Sequence, residues 1–67
     1  MIDIKLVQKA IVLTKNGRFQ EAEQLYQKLL DQFPDDEIVL SSAGLFYTVK
    51  KDFVKAIQYL NHACEIN

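Results

Sequence analysis

The chain has little of what usually staples a domain of 67 residues together. Its one cysteine, Cys64, can form no disulfide within the chain. With His62 as the lone histidine, no Cys/His spacing for a structural metal exists either. Tryptophan is absent, proline occurs once as Pro34, and glycine occurs twice, as Gly17 and Gly44. Two glycines so far apart cannot build a phosphate-binding loop, and the single proline allows few enforced breaks. A net charge of −1, with acids and bases interspersed, gives no electrostatic footprint for nucleic acid. Lys50, Lys51 and Lys55 cluster, but Asp52 interrupts them, and they read as a solvated helix end. The longest uncharged run, Ile38 to Val49, is far short of the roughly 20 residues that span a bilayer. Asp3 and Lys5 break the first apolar stretch, where a secretory signal needs an uninterrupted core. The expected setting is therefore reducing and cytoplasmic, without membrane insertion. Stability has to come from apolar burial, and 49 % hydrophobic content supplies an excess of it.

That apolar content is written twice. A shift of about 34 residues lays Ile4 on Ile38, Leu6 on Leu40, Thr14 on Thr48, Phe19 on Phe53, Ala22 on Ala56 and Gln24 on Gln58. Apolar pairs fill the spaces between: Ala10 on Gly44, Ile11 on Leu45, Val12 on Phe46, Leu13 on Tyr47 and Tyr26 on Leu60. No segment alternates with period two; apolar residues recur at three and four, as on an amphipathic helix. The spacing predicts helices over about 3–15, 19–32, 37–50 and from 53 onward. Asn16-Gly17 closes the first, since glycine takes the left-handed conformation of a helix end. Glu21 and Glu23 suit the positive end of the second helix. Phe33-Pro34-Asp35-Asp36 is a break, where proline cannot continue a helix and an aspartate can cap the next. Connections this short make neighbouring helices antiparallel. The expectation is one all-α domain over residues 1–67, with repeats at about 3–36 and 37–67.

The first unit places Leu6, Ala10, Leu13, Gly17, Phe19, Ala22, Tyr26 and Pro34 in order; the second places Leu40, Ala43, Gly44, Tyr47, Phe53, Ala56 and Leu60. This pattern resembles the tetratricopeptide repeat, whose landmarks are a large then a small residue and an aromatic, followed by an alanine and a closing proline. Leucine stands in place of the family's tryptophan in both units, Lys9 where a larger apolar residue is usual, and Lys51 where the first unit has Gly17. The resemblance implies four helices stacked as a fragment of a right-handed α-solenoid. The small residues Ala10 and Gly44 would allow close approach of the second helix of each pair near Ala22 and Ala56.

In such stacks the first helix of each pair lines a concave wall. Positions directed away from the partner helix are Ile4, Val7, Gln8, Ile11 and Lys15, matched by Ile38, Ser41, Ser42, Leu45 and Val49. An aliphatic wall softened by serines suits a hydrophobic or amphipathic peptide. Family members that hold acidic chaperone tails use lysines and asparagines there. This chain has Val7, Ile11 and Ser42 at those places, which argues against that ligand.

The ends of the stack differ. Lys5 and Lys9 occupy the places of Val39 and Ala43, as suits a first unit with nothing stacked before it. The last helix changes the other way: Gln20 becomes Val54, Glu23 becomes Ile57 and Gln32 becomes Ile66. A helix that ends a stack should grow more polar. Val54, Ile57, Asn61 and Cys64 are therefore expected to meet a further helix, from a following repeat or from a second copy.

Catalytic chemistry is not expected. His62 is a lone surface histidine, and Cys64, two residues on, projects from a different side of the helix, so the two form no nucleophile–base pair. Cys64 fits a small buried apolar place. Glu21, Glu23, Asp31 and Glu37 read as solvated acids, and Tyr26, Tyr47 and Tyr59 as inter-helix packing with hydroxyls at the edge. The expected function is protein–protein interaction without cofactor or metal, as an adaptor or assembly module that associates with itself or with further repeats. Two other readings stay open: the N-terminal repeat segment of a larger enzyme, such as a glycosyltransferase or methyltransferase, and a purely structural homodimer through the fourth helices.

Overall fold

A computed structural model describes residues 4–66 and shows α1 (Ile4–Lys15), α2 (Phe19–Gln32), α3 (Glu37–Val49) and α4 (Phe53–Ile66). No strand occurs among the described residues. α1 pairs with α2 and α3 with α4, and α3 also lies against both helices of the first pair. The result is two tandem helix-turn-helix repeats. Asp3, the expected start of the first helix, lies outside the described residues. The third helix ends at Val49, one residue before the expected Lys50, which caps it instead.

The two hairpin turns are the same turn built twice. Gly17 N–H donates to the Thr14 carbonyl at 3.1 Å and Arg18 N–H to that of Leu13 at 2.9 Å. One repeat length on, Lys51 N–H donates to Thr48 at 3.0 Å and Asp52 N–H to Tyr47 at 2.8 Å. These bonds satisfy the carbonyls orphaned at a helix end, and they require a left-handed residue between them. Gly17 takes φ 77° without strain; Lys51 takes φ 69° with a side chain. A Cβ in that region costs about 1–2 kcal/mol, partly offset because lysine has fewer unfolded conformations than glycine. Lys51→Gly is therefore expected to stabilise the chain by about 0.5–1 kcal/mol, read as a higher urea midpoint. An unchanged or lower midpoint would show that the lysine is not strained there.

Between the repeats, Asp36 caps α3: its carboxylate accepts from Ile38 N–H at 2.9 Å and from Val39 N–H at 3.2 Å. Thr14 and Thr48 each donate to the carbonyl four residues back, Ala10 at 2.8 Å and Gly44 at 2.9 Å, a further sign of duplication.

The core lies where the hairpins meet. Phe46 on α3 is buried against the rings of Tyr26 at 5.1 Å and Phe19 at 6.3 Å, both on α2, and against Tyr47 at 4.9 Å. Tyr47 stacks in turn on Tyr59 of α4 at 5.6 Å. Within the second hairpin, Gly44 permits close approach. A Cβ built there would stand 2.6 Å from Leu60 Cγ and 3.5 Å from the Ala56 carbonyl oxygen.

Candidate protein-docking surfaces

The first surface is the wall formed by α1 and α3. A cleft of about 200 Å³ opens between Ile11, Thr14 and Lys15 of α1 and Ser42, Leu45, Phe46 and Val49 of α3, with Tyr26 of α2 also lining it. Of the residues expected on this wall, Ile4, Ile38, Leu45 and Val49 are exposed, and Ile11, Ser41 and Ser42 are half-buried. Gln8 and Lys15 are exposed as well. Val7 departs from expectation. It is 2 % exposed and belongs to the core, so it is unavailable to a ligand. The helical period groups Val7 with Ile4 and Ile11, but the second hairpin closes over that side of α1. The cleft is chiefly aliphatic and carries one cation, Lys15, at its lining.

The second surface is the trailing side of the second hairpin. Val54 is 68 % exposed, Ile57 58 %, and Asn61 and Cys64 are also exposed. Cys64 is thus not the buried thiol that its small apolar character suggested. Its counterpart Leu30 is buried because a second hairpin lies beside the first, and among the described residues no hairpin stands beside Cys64. The same asymmetry recurs along the helix: Tyr26 is buried and Leu60 half-buried. Single apolar residues on a surface are ordinary, but a contiguous set marks a contact.

A polar clasp fastens the two hairpins together, and helical pattern alone did not reveal it. Glu23, expected to be solvated, receives a hydrogen bond from Lys50 Nζ at 2.7 Å and another from the Tyr47 hydroxyl at 3.1 Å. Gln27 Nε2 donates to the same hydroxyl at 2.8 Å, and Lys55 Nζ lies 5.3 Å from the centre of the Tyr47 ring. The Lys50 hydrogen bond is the main reason the Glu23 carboxyl is held below its ordinary value, with Tyr47 adding to it. Burial pushes the Tyr47 hydroxyl up to about 12, and the nearby Glu23 carboxylate pushes the same way. A comparison of Glu23 with its repeat counterpart Ile57 could have signalled the clasp, because the acid appears only where a following hairpin supplies a lysine.

His62 is more engaged than a lone surface histidine: its Nε2 lies 2.9 Å from Asp35 Oδ1 in the turn between repeats. Among the described residues, no group of three or more His, Cys, Asp and Glu side chains is placed to hold a metal ion. No described helix is long and apolar enough to cross a membrane.

Two duplicated hairpins, joined by a shared core and open on one side, define a stacked helical-repeat protein. The model of the family described as tetratricopeptide repeat matches residues 5–36, which is the first hairpin, and the second hairpin repeats its turn and packing. The first hairpin thus matches a tetratricopeptide repeat. It is similar to anaphase-promoting complex subunit 3 of Schizosaccharomyces pombe, with 26 % identity over 57 residues. That alignment covers 85 % of this chain and 9 % of the relative, so the chain spans a small part of the protein it matches. No solved structure matches it significantly.

Proposed function

We propose that the chain is a non-catalytic assembly module that binds protein through its trailing face, by self-association or by stacking of further repeats. The observation that carries this reading is the loss of burial from one hairpin to the next. Leu30 is buried while Cys64 is exposed, and half-buried Glu23 gives way to exposed Ile57. Repeat units hold together through such nearest-neighbour faces. The relative's name describes a subunit of a multi-protein complex, which fits an assembly role. The aliphatic cleft between α1 and α3 is a second docking place, suited to one apolar side chain of an amphipathic or extended segment. The exposed single thiol fits a reducing compartment such as the cytoplasm.

Ile57→Glu tests the reading. The wild type is expected to gain mass with concentration in sedimentation equilibrium, and the variant to stay at the mass of one chain while keeping its helical circular dichroism. A wild type that remains a folded monomer at high concentration would remove self-association. A second reading, a repeat segment within a larger protein such as an enzyme, is favoured by the small share of its relative that the chain spans. There the same face would receive the next repeat.

A further inference from the structure

We infer that the trailing face takes a helix of α3's chemistry, uncharged along the contact and small at its centre, and that Lys5 and Lys9 bar this chain's own α1 from that seat. The inference rests on the reading of the trailing face as a docking surface and adds what that surface accepts.

The seat's geometry is already present once in the molecule. α3 rests on the first hairpin through Phe46, whose ring meets Phe19 and Tyr26, and through Tyr47, whose hydroxyl meets Glu23 and Gln27. Val39 and Ala43 precede Phe46 at helical spacing, and both have 0 % exposure. One repeat length on, the seat is copied with changes: Leu60 for Tyr26, Asn61 for Gln27 and Ile57 for Glu23. The copy has lost its carboxylate and kept its amide. A helix received there needs no cation at the place of Lys50, and at the place of Tyr47 it needs at most one hydrogen bond, to Asn61.

The only other first-type helix that this chain can offer is α1 of a second copy, which would extend the stack head to tail. Such a head-to-tail contact grows into open filaments unless its rotation closes a ring. At the places of Val39 and Ala43, α1 carries Lys5 and Lys9, both exposed in this structure. Seating them would put two ammonium groups where the first interface holds fully buried apolar atoms. The copied seat has Ile57 where the first seat has Glu23, and burying an ammonium group in an apolar contact is strongly unfavourable. Lys9 also replaces a fully buried alanine with a long side chain. The leading edge thus admits no self-stacking, while the trailing face stays open to an apolar helix. Continuity with the existing inter-repeat interface identifies that occupant.

The test compares the wild-type chain, Lys5→Val/Lys9→Ala, and the same pair with Ile57→Glu added, by sedimentation velocity over a wide concentration range. The lysine double variant is expected to grow several-fold in mean mass without reaching a plateau. Adding Ile57→Glu should return it to the mass of Ile57→Glu alone. Lys9→Ala by itself is carried alongside as the variant safest for folding, since alanine is the best helix former, and should show a smaller gain. A helical double variant that keeps the wild-type mass at every concentration would overturn the inference, as would growth that survives Ile57→Glu. Of these two, growth that survives Ile57→Glu would count against the docking surface itself, whereas absence of growth would count against the lysine bar alone.

Discussion

Phe46→Ala is expected to remove about 3–5 kcal/mol, the usual loss when a buried phenylalanine is truncated and leaves a cavity. Net stability of about 0.05–0.15 kcal/mol per residue gives a chain of this length about 3–10 kcal/mol in total, so the variant should lose a large part of it and unfold at a much lower urea midpoint. The effect is large because Phe46 ties the two hairpins together. Its ring touches Phe19 and Tyr26 across the interface and Tyr47 on its own helix. With one cysteine, no disulfide within the chain compensates. The same repeat position in the first unit supplies an internal control. Val12 is 53 % exposed, so Val12→Ala should change stability by less than about 0.5 kcal/mol. Urea melts followed by circular dichroism would read both variants. Equal midpoints for the two would mean that the inter-repeat core is not the main source of stability.

The contrast between Val12 and Phe46 also shows how far the sequence could be read. Helix number, turn positions and the order of the hairpins followed from local signals: Gly17 and Pro34 at breaks, Asp36 at a cap, apolar spacing of three and four. Those signals act within one turn of helix and need no knowledge of neighbours. Burial is different, because it depends on which element lies alongside. Val7, Ile4 and Ile11 share one side of α1, yet Val7 alone is deeply buried among them. Cys64 has the character of a core residue but has no neighbour to bury it. The clasp of Glu23, Tyr47 and Lys50 joins residues far apart in the chain, and only the change from Glu23 to Ile57 hinted at it. The greater apolarity of the last helix was visible directly, because a comparison of one repeat with the next needs no coordinates.

Above pH 10 the wild type is expected to lose about 2–3 kcal/mol that Tyr47→Phe does not lose, because a pKa difference of one unit is worth about 1.36 kcal/mol. The direction follows from proton counting. In the unfolded chain the Tyr47 hydroxyl releases its proton near the ordinary value of 10.0, whereas in the folded chain burial holds it to about 12. Between those values the folded state binds more protons, so stability falls as pH rises, and the loss is complete once the folded hydroxyl also titrates. Tyr26 is also raised by burial, so the wild-type profile alone cannot isolate Tyr47. The difference between wild type and Tyr47→Phe does isolate it. At neutral pH that variant should cost about 1 kcal/mol, since Glu23 and Gln27 lose a shared hydrogen-bond partner but can still reach water. Urea midpoints collected from pH 8 to pH 12 should therefore show two curves that cross, the wild type starting above Tyr47→Phe and ending below it. Parallel curves would mean that the hydroxyl is not held in its protonated form by the fold, and the clasp between hairpins would then be an exposed contact of little weight. On the acid side the sign is opposite: Glu23 has a lowered value, so its contribution disappears as pH falls through that value, and Glu23→Gln should flatten that limb.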